Sequence, residues 1–316
     1  MEISLALGGG GIKGIAHIGV LDCLVKEGFK IQAIAGTSVG GLIGAVFAAG
    51  YQPEEIMDLF AGMNQSRLYS RNPKDGPSLL GYTGVAEALI KLLGESVFSD
   101  LKIPFACTAV DLLTCHEVYL NEGLVVDALL ATIAVPGIFP PKIRGEAELI
   151  DGAVLDPVPV NLSRCLAPSR PVVAVALNPE REKWHQPPQF NMTPPVSLPI
   201  PPPIIEGIAR MRIAQALRIF LQSMDISARS LTELRLEADH PEVIIRPEVY
   251  EYGLLDVVNP KELVKVGYQA AENAIPAIKR SLSWPNTVVR FIRQPKRFSK
   301  NSSRQLPDPG SISGAC

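Results

Sequence analysis

The sequence predicts an α/β protein, a three-layer α/β/α sandwich around a mostly parallel sheet. Strand-like apolar stretches alternate with helical periods from the start, as at 3–7, 14–27 and 31–35, and this alternation places helices on both faces of a parallel sheet. Hydrophobic residues make up 47% of the chain, which is ample for a large core. Aromatic residues are only 6%, so this core should be aliphatic, as layered α/β folds require.

The predicted elements follow one another in a simple order. After the first two strands we expect helices near 40–50 and 53–62, a turn-rich loop at 63–84, and a helix at 85–93. The remaining predictions are strands at 103–110, 172–177 and 242–246, a long helix from 204 to about 225, and a last helix at 260–282. A mainly apolar stretch at 147–150 directly precedes Asp151.

Composition predicts one domain over residues 1–282 and a tail over 283–316. Eight prolines between 187 and 203 exclude regular structure there and indicate an extended linker or flap. Residues 286–316 hold six Lys and Arg against Asp308 alone, a net +5, so a total of −2 leaves −7 for the rest. A basic, disordered tail on an acidic body suits contact with an anionic membrane, although a solvated tail is the alternative.

A serine between two glycines follows the second strand. Residues 36–40 read GTSVG, with Ser38 flanked by Gly36 and Gly40. This pattern suits a sharp strand-to-helix turn that exposes a serine hydroxyl, because side chains at the flanking positions would clash. Five-residue motifs recur by chance, so the pattern needs support from the rest of the chain.

A glycine loop links the first strand to the first helix. Residues 8–14 read GGGGIKG, and glycines ahead of a helix N-terminus let backbone N–H groups converge on a negative charge. The spacing of Gly9, Gly11 and Gly14 also fits a dinucleotide-binding fingerprint. That motif needs an acidic residue at the end of the second strand, where this chain has Ser38. A Walker loop is excluded because Lys13 precedes Gly14 rather than a serine or threonine.

The sequence offers two kinds of base for Ser38. Asp151 follows an apolar stretch, and the chain has four histidines. Ser38, Asp151 and His240 would follow the order of an α/β-hydrolase triad, but that fold places several strands before its serine, and only one strand–helix unit precedes Ser38. His17 falls in the first helix, where packing is the better interpretation. The other two histidines are His116 and His185, the latter beside the proline-rich segment.

The three motifs, in this order, resemble the bacterial patatin-like phospholipases. That family carries G-G-G-x-[RK]-G, then G-x-S-x-G, then D-G-[AG] about a hundred residues later. The likeness covers most of residues 1–282 and extends to the stretches AHIGVL at 16–21, AVPGIFPP at 134–141, PVPV at 157–160 and LTELR at 231–235. One departure is Cys115-His116, where bacterial relatives often have Gly-Glu; it affects a turn and not the catalytic residues.

The resemblance implies a patatin-like fold and a catalytic Ser–Asp dyad. Ser38 would be the nucleophile and Asp151 the base, which requires a desolvated carboxylate because an ordinary aspartate, with a pKa of ~3.9, is a poor base. The oxyanion hole would be the loop of Gly9, Gly10 and Gly11, with the amides of Gly10 and Gly11 as donors and Gly9 shaping the turn. The motif residues that would support this site are Lys13, Gly14, Gly36, Gly40 and Gly152.

The resemblance also implies the reaction, which is hydrolysis of lipid acyl esters through an acyl-Ser38 intermediate, without a metal or organic cofactor. Lys13 would support the loop or contact an anionic head group. Two other functions fit the same motifs, namely acyl transfer to an acceptor other than water and a non-catalytic lipid-binding or regulatory module. We expect a lipid or acyl-ester partner and no nucleic acid, and the oligomeric state stays open.

The sequence favours a cytoplasmic protein with possible peripheral contact at the inner membrane surface. The N-terminus has Glu2 where a signal peptide needs positive charge. Five cysteines show neither paired nor metal-ligand spacing, which favours reduced thiols. Residues 31–53 are uncharged and exceed the ~20 residues that span a bilayer, but five glycines dilute their hydrophobicity, and strand, turn and buried helix explain them better.

Overall fold

The computed structural model describes residues 1–62, 78–184, 204–254, 256 and 258–283. The side chains at 61–62, 204–214 and 216–218 are not described. Several predictions fall outside these ranges: His185, the proline-rich segment at 187–203, the basic tail after Ser283, and most of the loop at 63–84.

Within the described residues, eight strands form one sheet. Their bounds are β1 (Glu2–Leu7), β2 (Lys30–Gly36), β3 (Phe105–Asp111), β4 (His116–Leu120), β5 (Lys142–Arg144), β6 (Ala147–Asp151), β7 (Val172–Val175) and β8 (Val243–Ile245). The order is β5-β6-β3-β2-β1-β7-β8, with β4 also paired to β3. The five consecutive strands β3, β2, β1, β7 and β8 are parallel to one another. The pairings of β4 and β6 with β3, and of β5 with β6, are antiparallel. The predicted mostly parallel sheet is confirmed.

Helices precede and follow these strands along the chain. Their bounds are α1 (Ala16–Lys26), α2 (Val39–Ala48), α3 (Pro53–Gly62), α4 (Thr83–Leu93), α5 (Val125–Thr132), α6 (Val160–Leu166), α7 (Ile204–Asp239) and α8 (Pro260–Ser281). A short 3-10 helix (Gly11–Ile15) precedes α1. Helix α7 extends about fourteen residues beyond its predicted end, and α5, α6, β4 and β5 were not predicted as elements.

The two faces of the sheet pack differently, because successive strand residues point to opposite sides. In β1, Leu5 and Leu7 join a large aliphatic core with residues of α1, α2 and α8. Ala6, between them, joins a smaller cluster that includes Val160 of α6 and Leu236 of α7. Helices therefore cover both faces, which gives the predicted three layers.

Pairing along β3 brings the ends of β2 and β6 together. Cys107 pairs with both Gly36 of β2 and Leu120 of β4, so β2 and β4 lie on opposite edges of β3. Ala109 pairs with both Val118 of β4 and Asp151 of β6, so β6 lies on the same edge as β2. Since β6 is antiparallel to β3, its carboxyl end faces the carboxyl end of β2. The serine turn and Asp151 consequently meet at this edge.

The turn between β3 and β4 places a residue with a side chain in a conformation that suits glycine. Cys115 has φ 58°, in the left-handed region that favours glycine. The Cys115 N–H donates to the carbonyl oxygen of Asp111 at 2.8 Å, which closes the turn.

Candidate active site

Ser38 lies on a strained turn between β2 and α2. Its φ of 54° and ψ of −127° are rare for a residue with a side chain and cost about 1–3 kcal/mol. The turn is held from outside, since the Ser38 N–H donates to Oγ1 of Thr132 at 2.8 Å. Ser38 is only 6% exposed. Thr132 was not identified from the sequence, and its separation of 94 residues from Ser38 leaves no local signal.

Thr37 anchors the other side of the turn. Its hydroxyl donates to the carbonyl oxygen of Asp156 at 2.9 Å. The Thr108 hydroxyl lies 2.8 Å from the Thr37 hydroxyl, and it is the donor because the Thr37 proton is already used. Thr108 occupies the one position of β3 between its pairings with β2 and β6, so this contact bridges the serine turn and the aspartate strand.

The glycines around the turn are close-packed, as the motif predicts. A Cβ at Gly36 would meet the backbone of Gly41, and one at Gly40 would meet the carbonyl oxygen of Leu7. At Gly14 a Cβ would meet the side chain of Val39, and at Gly152 it would meet Thr108. These four glycines therefore let the glycine loop, the serine turn and the aspartate strand approach one another.

Asp151 ends β6 and is 3% exposed. Its Oδ1 accepts the N–H of Ala153 at 2.8 Å. Burial raises the pKa of Asp151 to about 6, while interactions of its carboxylate with the Ser38 side chain and the Ala153 N–H limit the rise. The carboxylate is therefore ionised near neutral pH, yet far more basic than an exposed aspartate.

The glycine loop is anchored on either side of two amides. The Gly9 N–H donates to the carbonyl oxygen of Pro157, and the Ile12 N–H donates to that of Leu254, both at 3.0 Å. Among the described residues, the N–H groups of Gly10 and Gly11 have no hydrogen-bond partner. Gly9 thus shapes the loop, and its amide is not available to an oxyanion. Gly11, at φ 59°, is also a position that suits glycine.

Two buried side chains support this loop. His17 is fully buried, and its Nε2–H donates to the carbonyl oxygen of Gly8 at 2.8 Å. Burial lowers the pKa of His17 to about 4, so the ring is neutral. Lys13 is 4% exposed and lies 4.0 Å from Oδ1 of Asp225 on α7, while Nε of Arg229 donates to Oδ2 of Asp225 at 2.7 Å. Burial lowers the pKa of Lys13.

A cavity of about 310 Å³ opens beside these groups. Among the residues that line it are Gly9, Gly10, Gly11, Lys13, Ser38, Asp151, Asn178 and Asp225. None of the described histidines lines it. His116 and His240 lie on the exposed surface, and His17 faces the loop backbone instead. Of the described residues that could act as the base for Ser38, the structure brings Asp151 to the serine.

The described residues contain neither a cluster of metal ligands nor a membrane-spanning helix. No group of three or more His, Cys, Asp or Glu side chains could hold a metal ion. No helix of this part of the chain is both long and apolar enough to cross a bilayer. Residues 31–53, uncharged in the sequence, form β2 and the buried helix α2 instead.

The fold and this site define an α/β protein with a serine on a strained strand-to-helix turn beside a buried aspartate. The sequence matches the family described as "Patatin-like phospholipase" over residues 5–163, just over half of the chain. The chain belongs to the patatin-like phospholipase family.

Curated relatives share parts of the chain. An uncharacterized NTE family protein of Mycobacterium tuberculosis is 34% identical over 160 residues, which are 50% of this chain and 44% of that protein. Another from the same species is 28% identical over 288 residues, 87% of this chain and 47% of that protein. "Lysophospholipase nte1" of Aspergillus niger is 25% identical over 305 residues, 90% of this chain and 19% of that protein. The chain therefore spans less than half the length of these relatives.

Two solved structures are similar in outline. VipD from Legionella pneumophila aligns at 13% identity with a TM-score of 0.48, covering 89% of this chain and 67% of that one. The type III effector protein ExoU aligns at 13% identity with a TM-score of 0.42, covering 89% of this chain and 54% of that one.

Proposed function

We propose that the protein is a serine hydrolase that cleaves acyl esters of lipids, with Ser38 as nucleophile and Asp151 as base. The observation that carries this proposal is that Ser38 and the buried carboxylate of Asp151 line the same cavity and interact, and that the pKa of this carboxylate is about 6. Membership of the patatin-like phospholipase family supports lipids as the substrate class, as does a relative named as a lysophospholipase.

The first half of the reaction forms the acyl-enzyme. Asp151 accepts the Ser38 proton as Oγ attacks the ester carbonyl carbon, and the N–H groups of Gly10 and Gly11 stabilise the negative charge on the tetrahedral intermediate. Asp151 then returns its proton to the alcohol oxygen as the ester bond breaks. Because the two amides are unbonded among the described residues, no existing hydrogen bond has to be broken for this role.

The second half releases the fatty acid. Asp151, again a carboxylate, accepts a proton from a water molecule as the water oxygen attacks the acyl carbon. Asp151 then donates this proton to Oγ of Ser38 as the bond between Oγ and the acyl carbon breaks. An acceptor alcohol in place of water would make the same residues an acyltransferase. A peripheral position on an anionic membrane, with access to lipid, is part of the same proposal.

Covalent labelling tests the nucleophile. A fluorophosphonate reacts rapidly only with an activated hydroxyl, so peptide mass spectrometry should find the label on Ser38, and Ser38→Ala should abolish both labelling and release of fatty acid from a lipid panel. The matched control is Ser223→Ala, which removes a hydroxyl that lines the same cavity on α7. Undiminished labelling of Ser38→Ala would overturn the assignment. Products in which the acyl group reaches an alcohol would favour acyl transfer.

A further inference from the structure

Two cavities meet at Ser38. The larger measures about 310 Å³ and the smaller about 140 Å³. Ser38, Gly11, Val135 and Leu254 line both, so the nucleophile lies at the junction. An ester whose carbonyl carbon is attacked by Ser38 therefore has a separate space on each side, one for the acyl chain and one for the alcohol.

The smaller cavity runs along two helices. Val39, Leu42 and Val46 line one wall and follow Ser38 on α2 at spacings of three and four residues, which places them on one helix face. From Val39 to Val46 this face rises about 10 Å, at 1.5 Å per residue. The opposite wall is the same kind of stripe on α4, where Val85, Ala88 and Leu92 lie at similar spacings. The cavity thus leads away from the nucleophile.

The two cavities differ in chemistry. Apart from Ser38, every residue that lines the smaller cavity is glycine, aliphatic or aromatic. The larger cavity is also lined mainly by apolar residues, but it adds charged and polar side chains, among them Lys13, Asp225 and Asn178. An alkyl chain suits the first environment because it leaves no polar group unpaired, whereas a polar alcohol or head group needs the hydrogen-bonding partners of the second.

The position of the proposed base, Asp151, determines which cavity receives the alcohol part of the substrate and which receives the acyl chain. Asp151 lines the larger cavity and not the smaller one. In the proposed reaction Asp151 must reach first the departing alcohol oxygen and then the attacking water. Both must therefore occupy the larger cavity, while the acyl group stays on Ser38. The alcohol vacates the space that the water then enters, which leaves the smaller cavity for the acyl chain.

We propose that the smaller cavity binds the acyl chain of the substrate, that the larger cavity binds the alcohol part, and that Val85 and Ala88 limit the acyl chain length. This inference rests on the proposed function, because it presupposes acyl transfer to Ser38. It adds a binding orientation and two specificity-determining residues on α4.

Enlarging one alanine in each cavity tests the assignment. Ala88 on α4 lines only the smaller cavity and Ala228 on α7 lines only the larger one, and both are half-buried. With p-nitrophenyl esters from butyrate to palmitate, Ala88→Leu should lower the palmitate-to-butyrate ratio of kcat/KM by about tenfold or more, because leucine fills space that a long chain needs. Ala228→Leu should keep this ratio within about twofold of wild type, and should instead discriminate against bulky alcohol groups.

Controls separate this inference from folding and from the proposed function. Glu87→Leu places the same side chain on the exposed face of α4, and thermal melting checks each variant. Val85→Phe offers a second obstruction if Ala88→Leu does not fold. An unchanged chain-length ratio in both α4 variants, or a shift caused by Ala228→Leu instead, would overturn the assignment of cavities. Failure of wild-type protein to hydrolyse any ester or to react with fluorophosphonate would overturn the proposed function itself.

Discussion

The proposed catalytic groups and the cavity walls are built in different ways. Ser38 and Asp151 each lie at the end of a strand, are 6% and 3% exposed, and are held by hydrogen bonds to the backbone or to buried threonines. The walls on α4 and α7 present side chains that are half-buried, such as Ala88 and Ala228, or exposed, such as Phe220 at 44%. In the proposed reaction, catalytic geometry thus depends on rigid backbone, whereas substrate size depends on wall side chains that lie apart from that backbone.

The largest expected effect is on the catalytic side of this comparison. Asp151→Asn keeps the side-chain shape and can still accept the Ala153 N–H, but it removes the proton acceptor. Turnover should fall by about two orders of magnitude or more, which is the usual contribution of a positioned base. The measurement is kcat on an ester at saturating concentration, with protein shown to be folded by thermal melting.

Histidine variants are the matched controls for this prediction. Changing His185 and His240 together to glutamine should cost far less than Asp151→Asn. His17→Gln should act through packing, because His17 holds the backbone of Gly8 and does not line the cavity. A Ser–His–Asp triad predicts the opposite pattern. If one histidine substitution abolishes acylation while Asp151→Asn remains active, the Ser–Asp dyad is wrong.

A smaller effect should appear in the pH dependence. Asp151 acts as a base only when it is ionised, and burial raises its pKa to about 6. The ionised fraction, and with it kcat/KM for a neutral ester, should fall about tenfold per pH unit below that value and level off above it. The wall variant Ala88→Leu should keep the same acidic limb, since it changes the cavity and not the base. A profile that stays flat down to pH 4 would contradict the assignment.

The contrast between site and walls also explains what could be predicted from the sequence. The serine turn and the glycine loop depend on local backbone conformation. Short sequence motifs that contain Gly36, Gly40 and Gly11 therefore predict them. Asp151 follows an apolar strand in the same local way. Thr132, which supports Ser38 from α5, and the stripe on α4 that lines the smaller cavity depend on tertiary packing, and no short pattern marks them.

The elements that were not predicted from the sequence are those that depend on tertiary contacts and not on a local pattern. Strand β5 has three residues and β4 has five, and both exist because they pair at the antiparallel part of the sheet. Helix α7 continues to Asp239 because its later turns are anchored: Arg235 bonds to Glu117 and to the carbonyl oxygen of Leu155. For Gly9 the structure adds the contact behind its expected role in shaping the loop, a hydrogen bond from its N–H to the carbonyl oxygen of Pro157.

The smallest effect concerns the free energy of unfolding. It tests whether the buried carboxylate of Asp151 lowers the stability of the protein. Burial raises the pKa of Asp151 from 3.8 to about 6, a difference of about two units that corresponds to roughly 3 kcal/mol at most. Because the folded-state pKa is the higher one, the contribution of Asp151 to stability is greatest below about pH 4 and is lost as the pH rises through about 6. Asparagine does not ionise, so Asp151→Asn should be more stable than wild type above pH 6 and equal to it below pH 4.

Equilibrium unfolding of wild type and Asp151→Asn at pH 4 and pH 8 measures this difference. At pH 8 a gain of up to about 3 kcal/mol would raise the melting temperature by several degrees, at roughly 2–4 °C per kcal/mol for a chain of this size. The control is Asp127→Asn, which removes a carboxylate that is 47% exposed and paired to Lys142 at 2.7 Å, and which should not stabilise the protein at either pH. A lower stability of Asp151→Asn at pH 8 would mean that the carboxylate supports the fold. Asp151 would then contribute to the stability of the fold as well as to the proposed reaction, and the two roles could not be assigned to different residues.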